Sequence, residues 1–339
     1  MRRLVLALTL CSSIGCGGGD DTGTGVPADA PAFEGEKYSL TWGPVTVPAG
    51  KESTQCVWMR LSNATEIKVN QMHNVLNAAS HHLIVYKDDM DTTEQLTPVP
   101  CEPFTVALNT SGMIAPIAIT QKHDDMIFLP DRVAYTFGAN QMVKLEMHYL
   151  NASDTDQEVQ ATVDFFAADP ATIDHEAAIL FTGSPDIDIQ VGETKTLHQF
   201  FTVPDYLDLS QAKIFAITGH THKLGTNVTV RVGPSKTGPM TDVYAPNPFK
   251  WDEPETKTYN GDPFSVPQGG GFDFECSWNN TTNQSVTFGE SVTDEMCFFW
   301  AYYYPSQGSK VCIHTEQYGG ANGLNICCPG DTLCSQIPF

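Results

Sequence analysis

Short runs of alternating apolar and polar residues recur along the chain, and they constrain its fold most strongly. The first of these runs covers Tyr38 to Trp42, and one of the last ends at Tyr304. Glycine, proline, asparagine and aspartate separate the runs, and no long stretch keeps the spacing of a helix. Because side chains of a strand point alternately to its two faces, this pattern is typical of strands with one buried face. The sequence therefore predicts an all-β protein made of two antiparallel β-sandwiches in tandem.

The length agrees with two domains, since 339 residues suit two units of about 150 residues each. The run from Ala167 to Thr172 marks the junction between the two series of strands. Residues 233–271 are rich in proline, glycine and asparagine, which predicts a long exposed loop. We expect three folded segments: an N-terminal domain over residues 36–170, a C-terminal domain over residues 171–312 and a cysteine-rich tail over residues 313–339.

The N-terminus has the features of an export signal. A basic start precedes an apolar core from Leu4 to Leu10, and the small-residue end at Cys16 resembles the lipobox of bacterial lipoproteins. That resemblance implies a lipoprotein signal peptide over residues 1–16, lipid attachment to the Cys16 thiol and a flexible tether over residues 17–35. A plain cleaved signal is the alternative. Both predict an extracytoplasmic protein, and the first predicts one held at the periplasmic, outer-membrane or cell surface by its lipid anchor alone.

The net charge of the chain limits which molecules it can bind. The formal net charge is -22, so nucleic acid and anionic lipid would be repelled, and we expect neither as a partner.

Cysteine usage indicates disulfides. Eight of the ten cysteines lie beyond the signal region, an even number as a disulfide framework requires. Export places them in an oxidising compartment, so bridges are the default interpretation over thiolate metal sites. The eight are Cys56, Cys101, Cys276, Cys297, Cys312, Cys327, Cys328 and Cys334.

A His-x-His motif, His220-Thr221-His222, lies between two predicted strands. Residues two apart on a strand share a face, so the two imidazoles could clamp one metal ion. A half-buried strand can also carry two hydrogen-bonded histidines, and the motif alone does not decide between these interpretations.

Three further stretches offer metal ligands. His81 and His82 enter a strand side by side, and both could bind one metal only at a strand start or a bulge. His148 ends a strand, where a core histidine is the alternative. Met296 lies between an acidic pair and Cys297, and its thioether is a soft ligand that suits Cu(I), although a core methionine is again the alternative.

These stretches together resemble one family. Ser80-His81-His82-Leu83, Met147-His148-Tyr149, Gly219-His220-Thr221-His222 and Asp294-Glu295-Met296-Cys297 occur in the order seen in the copper type II, ascorbate-dependent monooxygenases. That family includes dopamine β-monooxygenase and peptidylglycine α-hydroxylating monooxygenase. The resemblance spans about residues 38 to 312 and implies two tandem antiparallel jelly-roll-like β-sandwich domains, here followed by the disulfide-rich tail.

The resemblance implies two copper ions and two disulfides. One copper would be held by three histidines, and the other, where O2 is activated, by His220, His222 and Met296 as catalytic residues. The ligands of the first copper would be His81, His82 and His148. The implied disulfides are Cys56 with Cys101 and Cys276 with Cys297, whereas the tail cysteines lie where the family varies and predict local cross-links. Glu146 and Asp294 are candidates for orienting the imidazoles, although solvation at the surface is the favoured interpretation for both residues.

The family comparison also bears on the substrate. Its peptide-hydroxylating branch has an arginine two residues before the His-x-His, and an asparagine and a tyrosine two and four residues after the methionine. Here these positions hold Thr218, Phe298 and Trp300. A substrate carboxylate would lose its charged partner, and the two aromatic residues favour an apolar or aromatic molecule if they face the pocket, with core packing as the alternative.

The resulting expectation is a copper-dependent monooxygenase. It would hydroxylate a C–H bond of a small substrate using O2, with ascorbate or a similar reductant supplying electrons. The alternative from a different functional class is an extracytoplasmic lipoprotein that binds or sequesters copper without catalysis. Both bind copper, but only the enzyme consumes O2 in a substrate-dependent way.

Overall fold

Strands account for nearly all regular structure in the computed structural model, which describes residues 32–101, 112–319 and 323–334. No α-helix occurs among these residues, so the all-β prediction is confirmed. No helix within the described ranges has the length and apolar character needed to cross a bilayer. The predicted signal peptide, Cys16 and residues 17–31 of the predicted tether lie outside the described residues.

The residues before position 171, here called the N-terminal half, form two sheets whose strands pair antiparallel, and a short strand from beyond position 171, β11, joins the first sheet parallel to β8. In the first, six-stranded sheet the order is β1-β10-β3-β8-β11, with β7 also paired to β3, and in the second, five-stranded sheet it is β5-β2-β9-β4-β6. The strands are β1 (Glu36–Val47), β2 (Glu52–Arg60), β3 (Ile67–Leu76), β4 (Ser80–Asp88), β5 (Gln95–Pro100), β6 (Ile114–Thr120), β7 (Asp124–Phe128), β8 (Val133–Phe137), β9 (Met142–Leu150), β10 (Gln157–Ala168) and β11 (His175–Glu176), the last lying just past the junction.

The remaining residues, here called the C-terminal half, contribute three sheets. The largest has six strands in the order β18-β15-β21-β12-β22-β23, and the others are β14-β19-β16-β17 and β13-β20. The strands are β12 (Ala178–Gly183), β13 (Asp188–Ile189), β14 (Thr194–Thr202), β15 (Lys213–His220), β16 (Gly225–Gly233), β17 (Thr241–Tyr244), β18 (Thr256–Thr258), β19 (Gly271–Asn279), β20 (Val286–Thr287), β21 (Phe298–Tyr304), β22 (Lys310–Thr315) and β23 (Leu324–Cys328).

Defined local structure occurs at the segment boundaries that the sequence predicted. A 3₁₀ turn, Pro170–Thr172, occupies the predicted junction, and the side chain of Asp169 caps it by accepting a hydrogen bond from the Ala171 backbone N–H. Phe33 lies inside the predicted tether but already stacks on Phe166, with ring centroids 4.5 Å apart. Short strands β17 and β18 interrupt the segment predicted as one long loop.

Two apolar clusters fill the interior, and they explain how the halves meet. One cluster lies within the C-terminal half. The other joins N-terminal residues such as Trp42 and Leu145 to Phe298, Trp300 and Tyr302 of β21. One face of the six-stranded C-terminal sheet therefore packs against the N-terminal half, so the two halves share a continuous apolar interface.

The same turn occurs in both halves. Asn151 follows β9, and its side-chain amide donates to the carbonyl of Val47 at 2.9 Å. Asn280 follows β19, and its amide donates to the carbonyl of Ile189 at 3.2 Å. Each asparagine is buried and also hydrogen-bonds to residues of the turn that follows its own strand. The two halves thus use the same side chain to join that turn to an earlier connection between strands.

Four disulfides are present among the described residues. Cys56–Cys101 and Cys276–Cys297 are the pairs that the family resemblance implied. Cys312–Cys327 and Cys328–Cys334 cross-link the tail locally. The predicted boundary between residues 312 and 313 falls inside β22, which pairs with β12 of the large C-terminal sheet, so the start of the tail is an integral part of that sheet.

Replacing both Cys276 and Cys297 with serine is expected to destabilise the protein by about 3 kcal/mol, because the bridge closes a loop of 21 residues that the unfolded chain would otherwise sample freely. Chemical denaturation of the metal-free protein measures this loss. The matched control, serine at Cys328 and Cys334, opens a loop of only 6 residues and should cost less, about 2 kcal/mol. A loss below about 1 kcal/mol for the first variant would contradict the prediction.

Candidate metal centres

The adjacent histidines His81 and His82 lie at the start of β4, beside a register shift between Ser80 and His82. A regular strand would send neighbouring side chains to opposite faces, whereas an irregular start relaxes this rule. Their ring centroids are 5.3 Å apart. The irregularity at the strand start therefore lets both imidazoles turn to one side.

His148 joins this pair from the neighbouring strand. It lies directly opposite His82 in the antiparallel pairing of β4 with β9. The ring centroid of His148 is 5.2 Å from that of His81 and 4.9 Å from that of His82. Each of the three rings offers a nitrogen within 4.8 Å of the other two, which is close enough to surround one metal ion. We call His81, His82 and His148 the first ligand set.

His220 and His222 lie at the end of β15 and in the turn that follows it, with ring centroids 5.2 Å apart. The strand β15 ends at His220, so His222 lies in the turn between the two strands that flank the motif. Gly219 explains the close packing behind them, because an added Cβ would lie 2.6 Å from the side chain of Val228. Only glycine fits this approach.

Met296 is buried and lines the same pocket as His220. The preceding residue, Glu295, accepts hydrogen bonds from the backbone N–H groups of His222 at 2.9 Å and Leu224 at 2.7 Å, and from the indole N–H of Trp278 at 2.7 Å. The segment that carries Met296 is thereby tied to the turn that carries His222. We call His220, His222 and Met296 the second ligand set.

The two ligand sets lie next to each other. The ring centroids of His81 and His222 are 6.1 Å apart, although 141 positions separate these residues in the chain. His82 and His220 line one pocket together. The interface between the halves therefore assembles five imidazoles and one thioether in a single buried region.

Burial favours the neutral form of these imidazoles. Burial lowers the pKa of His81 to about 3, and nearby histidines add to this effect. Burial also lowers the pKa of His222 to about 4. The pKa values of His82 and His220 also lie well below the usual value, first because of burial and then because of the neighbouring histidines. Neutral imidazoles keep a free lone pair, which is the form that binds metal.

Hydrogen bonds fix the orientation of three rings. Nε2 of His148 lies 2.8 Å from Oε1 of Glu52. Nδ1 of His220 donates to Oε1 of Gln121 at 2.9 Å, and Nδ1 of His222 donates to the backbone carbonyl of Asp294 at 3.2 Å. Each acceptor holds the proton on one ring nitrogen and leaves the lone pair of the other nitrogen available. For His220 and His222 that nitrogen is Nε2, and for His148 it is Nδ1.

Burial raises the pKa of the Glu52 carboxyl, but hydrogen bonds from His148, the Val292 N–H and Ser291 outweigh this effect and lower it to about 2. The carboxylate beside His148 is therefore ionised, and it can stabilise positive charge at the first ligand set.

A small pocket lies between the two ligand sets, and His82, His220 and Met296 line it. Trp300 and Phe181 form part of its apolar wall. Phe298 is buried and stacks on Phe181 with ring centroids 4.8 Å apart, so it supports the wall from behind. Thr218 is placed elsewhere, since its hydroxyl is hydrogen-bonded to that of Thr256 at 2.8 Å and it does not line this pocket.

The residues that orient the imidazoles differ from those suggested by sequence. Glu146 pairs with Lys144 instead of a histidine, and Asp294 acts through its backbone carbonyl. Glu52 and Gln121 were missed, because 96 and 99 positions separate them from the rings that they orient. Glu295 was visible in the Asp-Glu-Met-Cys motif, but no sequence pattern shows that its carboxylate is buried under the His222 turn.

The other histidines lie apart from the two ligand sets and have their own contacts. His73 pairs with Asp124 at 2.7 Å and His198 with Asp273 at 2.7 Å. His314 is hydrogen-bonded to Asn325 at 2.9 Å.

Residues 176–321 match the family model described as "Copper type II ascorbate-dependent monooxygenase, C-terminal domain". This range contains the whole second ligand set. Residues 176–321 are therefore identified as a C-terminal domain of the copper type II, ascorbate-dependent monooxygenase family. The membership agrees with the order of the four histidine and methionine motifs.

Two solved structures that resemble this chain are distant from it in sequence. A glycosylasparaginase from Flavobacterium meningosepticum, PNGase F, is 9% identical, with 81% of this chain and 97% of that chain covered and a TM-score of 0.37. The infectious bursal disease virus VP2 subviral particle is 10% identical, with 82% and 74% covered and a TM-score of 0.18. Neither structure is similar enough to indicate the fold or the function of this chain.

The donor groups fit the copper on which this monooxygenase family depends. Nε2 of His81 is buried and has no hydrogen-bond partner among the described residues, although an unsatisfied buried nitrogen is costly. Imidazoles suit copper in both common oxidation states, and a thioether favours Cu(I). A metal ion at the first ligand set would satisfy the His81 nitrogen.

Proposed function

We propose that the chain is a copper-dependent monooxygenase that hydroxylates a C–H bond of a small apolar or aromatic substrate. Ascorbate or a similar reductant would supply the electrons. One oxygen atom of O2 would enter the C–H bond and the other would leave as water, so each turnover consumes two electrons and two protons. The observation that carries the proposal is the adjacency of the two ligand sets across one pocket.

Two copper ions are proposed, one at each ligand set. His81, His82 and His148 would hold the first, and the second ligand set would hold the other. Copper at these positions would supply the one-electron redox chemistry that hydroxylation by O2 requires. The different donors support different roles, because three imidazoles suit electron transfer and a thioether favours the reduced ion that reacts with O2.

The protein's own contribution is positioning and exclusion of water. Gln121, Glu52 and the Asp294 carbonyl hold a proton on the ring nitrogen that faces each of them, so the other nitrogen of each ring would be free to bind copper. His82, His220 and Met296 are nearly inaccessible to solvent. A reaction in this region would therefore be shielded from bulk water.

The pocket supports a small substrate with an apolar body. Its closed space is about 10 Å³, which is the room of about one water molecule, so only a small group of a substrate would enter it. Ile119, Phe181 and Trp300 supply apolar surface, and neither lysine nor arginine lines the pocket. A substrate carboxylate would find no lysine or arginine side chain here and would lie near the carboxylate of Glu290, which argues against peptides with a free C-terminal glycine.

We also propose that the enzyme is exported and anchored by lipid at Cys16. The apolar core and small-residue end of the first 16 residues support this location. Fractionation of cells that express the chain, compared with a Cys16→Ser variant, tests it. Release of the variant from the membrane fraction is expected, and membrane association of both proteins would contradict the anchor.

The function is tested by metal content and turnover of the purified full chain. We expect two copper ions per chain, and ascorbate-dependent O2 uptake that rises when a hydroxylatable aromatic or aliphatic substrate is added and yields its alcohol. One copper ion per chain would contradict the two-centre arrangement. Two copper ions with no substrate-dependent uptake across a broad substrate panel would favour copper binding without catalysis.

A further inference from the structure

The carboxylate of Glu52 lies where the two halves meet and contacts both. Its Oε1 is 2.8 Å from Nε2 of His148, in the first ligand set. The same oxygen accepts the backbone N–H of Val292 at 2.8 Å, and Oε2 accepts the hydroxyl of Ser291 at 3.0 Å. One side chain at the start of β2 thus binds a metal-ligand candidate and a loop that lies 239 positions further along the chain.

That loop leads directly to the second ligand set. The Asp294 N–H donates to the Ser291 carbonyl at 2.9 Å, which closes a turn. The carbonyl of Asp294 then accepts the Nδ1 proton of His222 at 3.2 Å. Two residues later the chain reaches Met296. The loop held by Glu52 therefore orients one ligand of the second set and presents another.

We propose that Glu52 is a positioning residue for both copper centres at once. It fixes the ring of His148 directly, and it fixes His222 and Met296 through the 291–296 loop. The inference rests on the proposed function, because it assumes copper at both ligand sets.

The physical reason is that a single carboxylate satisfies donors from both halves. A carboxylate oxygen that accepts an imidazole N–H holds the tautomer and the orientation of a metal-binding ring. A loop outside the regular strands depends on such hydrogen bonds for its shape, and here the Glu295 carboxylate and the Cys276–Cys297 disulfide hold the end of the loop beside Met296 and beyond it. Loss of the carboxylate would free the His148 ring and leave the Val292 N–H without its acceptor.

Two parent variants allow Cu(I) binding at each centre to be measured separately. The first parent carries His81→Ala and His82→Ala, so only the second centre binds Cu(I). The second parent carries His220→Ala and His222→Ala, so only the first centre binds Cu(I). Competition with a chromogenic Cu(I) chelator measures the affinity of each parent with and without Glu52→Ala. No turnover is needed.

We expect Glu52→Ala to weaken Cu(I) binding roughly 10- to 100-fold in both parents, the range found when a partner that orients a metal ligand is lost. In the second parent, the Cu(II) electron paramagnetic resonance spectrum should also change, because the His148 ring loses its fixed orientation. Ser291→Ala removes only the loop contact, so it should weaken binding in the first parent and leave the second parent within about twofold.

Tyr302→Phe is the matched control. The Tyr302 hydroxyl accepts the Ile119 backbone N–H at 3.2 Å, so this variant also removes a hydrogen bond between the halves but touches no imidazole. Its Cu(I) affinities should stay within about twofold of both parents. Equal weakening by Tyr302→Phe and Glu52→Ala would assign the effect to general loosening of the interface and overturn the proposal.

Two other outcomes would also overturn it, and they differ from failure of the proposed function. If Glu52→Ala weakens only the second parent, Glu52 orients His148 alone. If it changes neither parent, it positions neither centre. If the parents themselves bind no Cu(I), the two-centre function fails, and the role of Glu52 fails with it.

Discussion

Met296→Leu is expected to reduce substrate-dependent O2 uptake by more than about 100-fold, while the protein stays folded. Loss of a residue that merely orients a metal ligand costs about 10- to 100-fold, so loss of the ligand itself should cost more. Leucine nearly matches methionine in volume, and such swaps cost less than about 1.5 kcal/mol in a packed core. The side chain is 3% exposed, so its environment demands a large apolar group in either case. The measurements are O2 uptake with ascorbate and the melting temperature.

The first ligand set provides the internal control for this variant. Copper bound by His81, His82 and His148 should be retained, because Met296 belongs to the other set. A Met142→Leu variant serves as a matched control, since Met142 is also buried but lies at the far end of β9 from His148. Its uptake should stay within about twofold of the parent. Unchanged uptake in Met296→Leu would remove the thioether from the proposed reaction.

Much of the fold could be predicted from sequence because strand patterns are local. The alternation at Tyr38–Trp42 lies within β1, and the run that ends at Tyr304 is β21. Domain boundaries that depend on pairing between distant strands were harder to predict. The strand β22 crosses the predicted limit of the C-terminal domain because its place in the sheet comes from pairing with β12, some 130 positions earlier. That partner cannot be read from the residues of β22 themselves.

The ligand sets could be proposed from sequence for a different reason. His81-His82 and His220-Thr221-His222 are short motifs, and their order with His148 and Met296 resembles one family. The groups that orient the imidazoles follow no such motif. Glu52 and Gln121 reach their rings only after the sheets have formed and the halves have met. Long-range contacts of this kind are set by tertiary packing, so a sequence pattern gives no signal for them.

Glu146 is a case in which the sequence suggested a contact with an imidazole that the structure does not contain. Its position two residues before His148 puts both side chains on one face of β9, which made it a reasonable candidate for orienting a ring. The structure instead pairs Glu146 with Lys144, whose Nζ lies 2.9 Å from Oε2, and with the hydroxyl of Tyr86 at 3.1 Å. The face of β9 that ends in His148 therefore begins with a buried ion pair.

Lys144→Met is expected to destabilise the protein by about 3–5 kcal/mol, because it leaves the carboxylate of Glu146 buried without its cation. Both side chains are completely inaccessible to solvent. The ammonium group also lies over the Tyr86 ring, 4.6 Å from its centroid, so the variant loses a favourable cation–π contact as well. Chemical denaturation of the metal-free protein measures the loss without any contribution from bound copper.

Two further variants decide whether the unpaired charge is the cause. Lys144→Met combined with Glu146→Leu removes both charges, and such paired replacement is often neutral or stabilising, so most of the lost stability should return. Lys37→Met breaks the pair with Asp164, where the lysine side chain is 53% exposed, and should cost less than about 1 kcal/mol. Equal losses in the single and double Lys144 variants would assign the effect to side-chain packing. Recovery in the double variant would show that each charge of this ion pair, on the strand that carries His148, is needed only because the opposite charge is buried beside it.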